Sequence, residues 1–559
     1  MKKYLLVIVL SLLYFALGVF TIKDYGMNWD EPVHYLRGQA YLHFFLTGKK
    51  DYKDLSNDSS LRRSIYQSDD YAYTYFLSGD NDVGHPPLND ILASFSNYIF
   101  YQKLGIIGDI ESYHLFVVFT SALLVASILF FTLYEFGFFV GIISFLSLLL
   151  YPLFLSESHF NIKDPVEASF YSITVILAYY GVIKNNWKMI IAASLFAGLA
   201  LGAKPNIIFS FVTIISWVII QKLDIIRQVK WLFSKKLTFS VLLFPLIAIS
   251  VVYLSWPYLW QNPVNMLKIL SYYKDIGGTL YQPGNYLILG IINTYAIQWI
   301  IFTTPIVALL LSCFGIIYCI KNFVKDKNKT LFLILLWLVV PILRVSIFHT
   351  GIYGGVRQIM EFVPAMAILS GIGANYIVKQ VSGITYRLFK IKSYYRKNFI
   401  LYILYFMLIF SFIPITLKLI SIHPNENVYF NPILGGLKGA KQKNFADWGT
   451  TLGSVYKQGI TWINEHAEKK ANVALIKGLL SNVPRIWIRP DINFHEKYYS
   501  GPAKKGEYLM EVTDYSWNLS IPKDKKYYLD TLVPVYEIKV DGVTVLSIWK
   551  NDRSHAFEN

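Results

Sequence analysis

Long apolar runs recur along the first three quarters of the chain, separated by short polar segments. Each run has roughly the 20 residues that an α-helix needs to cross a hydrocarbon core of about 30 Å. The predicted fold class is therefore an α-helical polytopic membrane protein, with residues 1–420 as its transmembrane domain. The pattern predicts eleven spanning helices, near residues 4–22, 111–134, 137–154, 165–183, 188–203, 205–221, 238–256, 298–320, 330–348, 359–378 and 398–420.

The basic residues between the predicted spans indicate the orientation of the chain. With Lys2 and Lys3 in the cytoplasm, the loops rich in Lys and Arg fall on that same side: 184–188, 222–236, 321–329 and 379–397. This distribution obeys the positive-inside rule. The N-terminus is then cytoplasmic, a long first loop (23–110) lies outside, and the tail after the last span also lies outside. We expect a multi-pass protein of the plasma membrane.

One segment of the first outer loop, residues 86–104, is apolar enough to suggest a further span. A span there would invert every later loop and break the charge rule. The segment therefore predicts an amphipathic helix that lies on the membrane surface.

The tail after the last span changes character and predicts a small extracytoplasmic α/β domain over residues 421–559. Residues 450–467 predict a helix, and 473–476 and 485–488 predict strands. Residues 535–549 alternate apolar positions on both sides of Asp541-Gly542, a turn sequence typical of a two-residue β-hairpin.

Composition agrees with the membrane assignment and removes one class of partner. Only 16% of the residues are charged, whereas a soluble domain carries about 25%. The net charge is +16, but Lys and Arg collect on the cytoplasmic loops of membrane proteins. The excess of positive charge therefore predicts no nucleic-acid partner.

Polar residues gather where the predicted spans end on the outer face. An acidic pair at one membrane exit would by itself be only a solvated pair. Charged groups at membrane depth, however, are costly and usually functional, and several outer loops carry them. We expect one outer pocket built from Asp30, Glu31, His85, Asp164, Lys204 and Arg357.

This set of side chains suits the transfer of a sugar from a lipid phosphate. An anionic donor requires Lys or Arg, and Arg can bind phosphate through two parallel hydrogen bonds. Phosphate leaves without a general acid because its second pKa is about 6, so one carboxylate suffices as base for an acceptor hydroxyl. Glycoside hydrolysis differs, since it uses two carboxylates together.

Several short motifs, taken in order over residues 1–465, resemble one superfamily. This is the prokaryotic branch of the dolichyl/polyprenyl-phosphate-mannose protein mannosyltransferase superfamily, ArnT/PMT-like C-type glycosyltransferases with the GT-C membrane fold. The motifs are Asp30-Glu31, His85-Pro86-Pro87-Leu88, Phe160-Asn161-Ile162-Lys163-Asp164-Pro165, Trp256-Pro257-Tyr258-Leu259-Trp260-Gln261-Asn262-Pro263, Tyr353-Gly354-Gly355-Val356-Arg357-Gln358, His423-Pro424, Tyr429-Phe430-Asn431, Gly435-Gly436 and Asp447-Trp448-Gly449.

Three positions depart from the pattern of this branch. Gln358 stands where the branch has a histidine, and Gly354 stands where it has an aspartate. No tyrosine separates Asp447 from Trp448. These departures bear on the donor and the acceptor more than on the fold.

The resemblance implies catalytic roles for three carboxylates. Asp30 would be the base, and Glu31 would support it or contact the acceptor. Asp164 would be a second acid that positions substrate.

The resemblance also implies a donor and its ligands. Lys204 and Arg357 would neutralise the donor phosphate, with His85 nearby; the other reading of His85 is a cap before two prolines. For Lys163 we expect a snorkelling side chain whose ammonium reaches the surface. Such enzymes need no obligatory metal or other cofactor, and their partners are a polyprenyl-phosphate sugar, membrane lipids and a protein, lipid or glycan acceptor.

Alternatives from the same and from other classes remain at this point. The sugar implied is mannose, and the rival within the class transfers another sugar, such as aminoarabinose, to a glycolipid. A lipid-sugar transporter or flippase would place ionisable groups near the bilayer midplane, often in repeated halves; no repeat is visible here. An inactive scaffold that binds through its outer domain is a third class.

Overall fold

The computed structural model describes residues 2–57, 61–221, 234–262, 264–279, 286–288, 291–326, 329–347, 351–476, 480–494, 506–512 and 531–552. Helices make up most of this part of the chain. They are α1 (Lys2–Thr21), α2 (Glu31–Thr47), α3 (Tyr73–Leu77), α4 (Leu88–Asn97), α5 (Asp109–Glu135), α6 (Phe138–Leu149), α7 (Pro152–Glu157), α8 (Asp164–Ile183), α9 (Trp187–Leu201), α10 (Ile208–Gln221), α11 (Lys235–Ser255), α12 (Tyr258–Gln261), α13 (Asn265–Thr279), α14 (Tyr295–Thr303), α15 (Ile306–Asp326), α16 (Lys329–Ile347), α17 (Phe362–Leu388), α18 (Tyr394–Phe410), α19 (Ile413–Ile422), α20 (Gly436–Gln442) and α21 (Tyr456–His466).

All eleven segments predicted to span the membrane contain helix. Among the described residues, eight helical segments are long and apolar enough to cross: Lys3–Asp24, Asp109–Glu135, Asp164–Ile183, Lys235–Ser255, Ile306–Lys325, Lys329–Ile347, Phe362–Leu388 and Tyr394–Ile422. The other three segments correspond to shorter apolar helices: Phe138–Leu149, Trp187–Leu201 and Pro205–Gln221. The polytopic helical class is confirmed, and eleven crossings with a cytoplasmic N-terminus remain a prediction.

The helix α2, directly after Asp30, was not among the predicted elements. It packs on α4 so closely that a Cβ on Gly38 would lie 2.2 Å from the carbonyl oxygen of Asp90. The helix predicted within residues 86–104 is present as α4, continued by a π-helix, Tyr98–Lys103. Its polar residues Asp90 and Asn97 are buried against protein, so its polar face packs against neighbouring helices.

A two-stranded ribbon, β1 (Leu287–Ile288) with β2 (Ile292–Asn293), precedes α14. The tail contains five further strands: β3 (Asn472–Leu475), β4 (Asn493–Phe494), β5 (Glu507–Val512), β6 (Pro534–Val540) and β7 (Val543–Lys550). They form a sheet of order β4-β3-β5-β7-β6, in which β3 is parallel to β4 and β5 and the remaining pairs are antiparallel.

The predicted hairpin is present as β6 and β7. Its turn residues Asp541 and Gly542 have φ of 52° and 73°, the left-handed geometry that a two-residue hairpin turn requires. The strand predicted over 485–488 is wrong. That segment is a 3₁₀ turn in which the Trp487 amide bonds to the carbonyl of Pro484 at 3.0 Å, so its backbone bonds locally and not to a neighbouring strand.

The sheet shares one hydrophobic core with the membrane helices. The tail also contacts the segment between α1 and α2, because the side chain of Asn482, in a 3₁₀ turn between β3 and β4, donates to the carbonyl oxygen of Asn28 at 2.7 Å. The amide of Trp29 donates to the carbonyl of Leu452 at 2.9 Å. The tail thus fixes the chain immediately before Asp30. The division at residues 420 and 421 and the extracytoplasmic location of the tail remain predictions.

Two glycines allow α15 and α17 to pack with their backbones in contact. A Cβ on Gly373 would lie 1.8 Å from the carbonyl oxygen of Leu311, and one on Gly315 would lie 2.1 Å from that of Leu369. Small residues at a helix crossing are a common means of association in membranes, where hydrophobic burial does not drive helices together.

We predict that Gly373→Ala destabilises the protein by about 1–3 kcal/mol, because the added methyl group must push the two helices apart. The measurement is the apparent Tm of the purified protein in detergent. The matched control is Gly383→Ala on the same helix, where an added Cβ meets nothing within 4 Å. This control should leave the Tm unchanged or raise it, and equal losses in the two variants would contradict the prediction.

Candidate active site

The candidate site lies where several segments that connect the apolar helices meet the start of α8. Asn161 organises that start, because its side-chain oxygen accepts from the amides of Lys163 and Asp164 at 3.0 and 3.1 Å. Pro165 follows at the first helical turn, where its missing N–H requires no partner. The sequence therefore ends the preceding loop and turns Asp164 inward at the head of a long apolar helix.

The carboxylate of Asp164 binds two of the other predicted site residues. Lys204 Nζ donates to its Oδ1 at 2.7 Å, and Arg357 Nη1 donates to its Oδ2 at 3.0 Å. The Asn161 amide donates to the same Oδ2 at 2.8 Å. Asn161 and Asp164 lie at the head of α8, whereas Lys204 and Arg357 come from segments distant in sequence. This ion cluster therefore fixes the relative positions of α8, the α9–α10 connection and the segment before α17.

A second ion pair connects Asp30 to the same segment. Lys163 Nζ donates to Asp30 Oδ2 at 3.0 Å. The Lys163 side chain is only 10% exposed, whereas that of Asp30 is 45% exposed. The expectation that Lys163 snorkels to the surface is therefore wrong, because its ammonium is drawn inward by a carboxylate. Since Lys163 and Asp164 are adjacent, one short segment carries both the buried acid and the lysine that binds the accessible acid.

The charges around Asp30 lower its proton affinity. The ammonium of Lys163 holds the pKa of Asp30 well below its usual range, with smaller contributions from Arg357 and His34. The pKa of Arg357 is raised, against its burial, by the carboxylates of Asp164 and Asp30. The four residues predicted to be neighbours, Asp30, Asp164, Lys204 and Arg357, thus belong to one electrostatic cluster.

This cluster contains more cationic than anionic groups. Lys163, Lys204 and Arg357 form direct ion pairs with two carboxylates, those of Asp30 and Asp164. A third acid, Glu157, accepts a hydrogen bond from Asn161, and burial raises its pKa to about 8, so it adds little negative charge at neutral pH. Arg357 Nε is buried and has no hydrogen-bond partner within the described part of the chain. The arrangement can receive an anion.

Glu31 points away from this cluster. Its Oε2 lies 3.2 Å from His114 Nε2 and accepts from the amide of Asn28 at 2.8 Å. It is fully buried beside Tyr35. These contacts support the start of α2, and the catalytic role predicted for Glu31 remains a prediction.

His85 lies beside the cluster without an ion pair of its own. Burial, together with the ammonium of Lys163, holds the pKa of His85 well below its ordinary value. Its Nδ1 lies 3.4 Å from the hydroxyl of Tyr273, and its carbonyl accepts from Arg37 Nη1 at 2.7 Å. A neutral imidazole can offer a hydrogen bond to phosphate but no positive charge.

A buried polar network that sequence reasoning missed supports the loop of His85. Arg37 donates to Asp90 from Nε at 2.8 Å and to Asp82 from Nη1 at 2.7 Å. His34 Nδ1 lies 3.0 Å from Asp90 Oδ2. The signal that could have found it is helical spacing, because His34 and Arg37 lie four and seven residues after Asp30 on one face of α2.

No group of three or more His, Cys, Asp or Glu side chains among the described residues is placed to hold a metal ion. The chemistry that the cluster can perform with its own side chains is anion binding through the cations and proton transfer at the exposed carboxylate of Asp30.

We predict that Glu157→Gln stabilises the protein at high pH. The unfolded chain loses the Glu157 proton near its ordinary pKa of 4.5, whereas the folded chain keeps it up to about 8. The free energy of unfolding therefore falls as pH rises through this window. Glutamine resembles the neutral acid and has no proton to lose.

The measurement is apparent Tm against pH in detergent. Relative to wild type, Glu157→Gln should have an almost unchanged Tm at pH 4.5 and a Tm higher by about 2 °C at pH 8. Glu465→Gln, on the exposed end of α21, is the control and should show no such trend. A difference that is the same at both pH values would contradict the prediction.

Comparison with known proteins gives structural likenesses only. No protein-family model and no characterised protein sequence matches the chain. It is similar to the crystal structure of ArnT from Cupriavidus metallidurans bound to undecaprenyl phosphate, at 12% identity over 99% of each chain with a TM-score of 0.49. It is also similar to the oligosaccharyltransferase of Archaeoglobus fulgidus in complex with zinc and sulfate, at 13% identity over 98% of this chain and 73% of the other, with a TM-score of 0.48.

Both of these proteins are C-type (GT-C) glycosyltransferases, the superfamily that the sequence motifs of this chain resemble. At such identities and TM-scores the likenesses carry no argument about activity. The activity of this chain is therefore argued from its own side chains.

Proposed function

We propose that the protein is an inverting glycosyltransferase of the membrane. It moves a sugar, implied to be mannose by the motif resemblance, from a polyprenyl-phosphate donor to an acceptor hydroxyl on the outer face. The observation that carries this proposal is the ion cluster of Asp164, Lys204 and Arg357 beside the accessible carboxylate of Asp30.

The donor is assigned by charge. A buried cluster with more cations than carboxylates is suited to an anion, and guanidinium and ammonium groups are the usual ligands of phosphate. Among the described residues nothing accepts a hydrogen bond from Arg357 Nε, which is therefore able to donate to a phosphate oxygen. Asp164 begins one apolar helix and Arg357 precedes another, and a polyprenyl chain attached to the phosphate would lie in the lipid beside these helices.

The reaction divides between Asp30 and the phosphate-binding cations. Asp30 takes the proton of the acceptor hydroxyl, whose oxygen forms a bond to the anomeric carbon. The bond between that carbon and the phosphate oxygen breaks, and the polyprenyl phosphate leaves with the bonding electrons. Lys204 and Arg357 stabilise the charge that develops on the leaving group. Attack opposite the leaving group inverts the anomeric centre.

The transporter alternative is less favoured by the positions of the charged residues. Asp164 lies at the first residue of its apolar helix, and Arg357 lies just before another. Transporters hold such groups near the bilayer midplane on broken helices. Transfer of another sugar, such as aminoarabinose, would use the same phosphate-binding cations. The cations therefore do not distinguish the two sugars, and the proposal of mannose depends on the motif resemblance alone.

We predict that Asp30→Asn lowers sugar transfer about 10²- to 10⁴-fold, because asparagine cannot take the acceptor proton. Purified protein in detergent is offered polyprenyl-phosphate mannose and candidate protein, lipid and glycan acceptors. The control is Asp51→Asn, a partly exposed acid of the same outer loop, which should transfer at the wild-type rate.

Turnover in detergent also separates the classes, because a transporter needs a sealed membrane and moves no sugar to an acceptor. Transfer by Asp30→Asn at the wild-type rate would remove Asp30 as the base. No transfer by wild type from any polyprenyl-phosphate sugar would overturn the proposed function.

A further inference from the structure

We propose that Lys163 is exchanged between two anions: it holds the carboxylate of Asp30 before the donor binds and moves to the donor phosphate when the donor arrives. Donor binding would thereby release the base. This inference rests on the proposed function and adds to it a phosphate ligand and an order of events.

The ion pair of Lys163 and Asp30 is the first observation. The two atoms are 3.0 Å apart, and the ammonium is buried while the carboxylate is partly exposed. A carboxylate bonded to an ammonium resists protonation, and the pKa of Asp30 is held low chiefly by this neighbour. In this arrangement Asp30 is a poor base. Catalysis by Asp30 therefore requires that Lys163 move.

The position of Lys163 is the second observation. It directly precedes Asp164, whose carboxylate binds Lys204 and Arg357, the two cations assigned to the phosphate. Its ammonium also acts on the imidazoles of His34 and His85. Lys163 is thus bonded to the accessible acid and also lies near the acid that holds the cations assigned to the donor.

The number of charges is the third observation. Lys204 and Arg357 are already bonded to Asp164, and removing both would leave that buried carboxylate without a cation to balance its charge, which is strongly unfavourable. Lys163 is bonded to the acid with the greater exposure, which water can solvate once the ammonium leaves. Because its side chain is a flexible stem with a point charge, Lys163 is the cation that can change partners at the lowest free energy.

The exchange makes a specific prediction for the binding of undecaprenyl phosphate, which needs no turnover. Asp30→Asn removes the competing anion, so it should tighten binding about tenfold. Lys163→Met removes a charge-assisted bond to phosphate, so it should weaken binding about tenfold or more. In the double variant, Asp30→Asn should have no effect beyond that of Lys163→Met.

The measurement is the Kd of undecaprenyl phosphate for the full chain in detergent, by calorimetry or thermophoresis, over these three variants and wild type. Lys163→Arg keeps the charge and should bind within about threefold of wild type. The control is Lys188→Met, at an exposed lysine in the first turn of α9, which should leave the Kd unchanged. A Tm for each variant identifies loss of fold.

The outcomes separate the inference from the function on which it rests. If Asp30→Asn tightens binding equally with and without Lys163, the effect is charge repulsion alone and the exchange is overturned. If Asp30→Asn does not tighten binding at all, the exchange is also overturned, while the proposed function stands on wild-type binding and transfer. If Lys163→Met does not fold, Asp30→Asn and Lys163→Arg still test the exchange. If wild type does not bind the probe, the donor assignment fails together with the exchange.

Discussion

The buried carboxylate of Asp164 is the constraint on which the site depends. An ionised acid removed from water is stable only when it is paired and hydrogen-bonded. Lys204 and Arg357 meet this requirement from two other segments, 40 and 193 residues further along the chain. If any of these segments moved away, a charge would be left uncompensated, so the ion cluster holds these ends of several apolar helices in one arrangement.

The same physics applies a second time in the first outer loop. Arg37 is buried between Asp82 and Asp90, and this network connects α2 to the loop that carries His85. Two loop segments of the tail then fix the residues just before Asp30 through Asn28 and Trp29. Structural ion pairs thus surround the site on several sides, and they leave Asp30 as its accessible acid.

Structural and chemical roles coincide at these residues. A cluster that only neutralised Asp164 would need one cation, and this one has two, with a third on Asp30 and a buried N–H of Arg357 without a partner among the described residues. Such an excess raises the energy of the empty site and lowers that of a site with a bound anion. It is the arrangement expected where a charged donor must bind and where its leaving group must be stabilised.

The sequence by itself determined the features that follow from local patterns. Apolar runs long enough for the hydrocarbon core predicted the helices, and Asp541-Gly542 predicted the hairpin, because membrane thickness and turn geometry act on neighbouring residues. The motifs also indicated which charged residues to consider. Only the tertiary structure decided their partners and surroundings: Lys163 binds Asp30, 133 residues away, Glu31 faces His114, and burial raises the pKa of Glu157. Ion pairing and desolvation depend on which segments pack together in the folded protein. The spacing of residues along the chain does not determine these contacts.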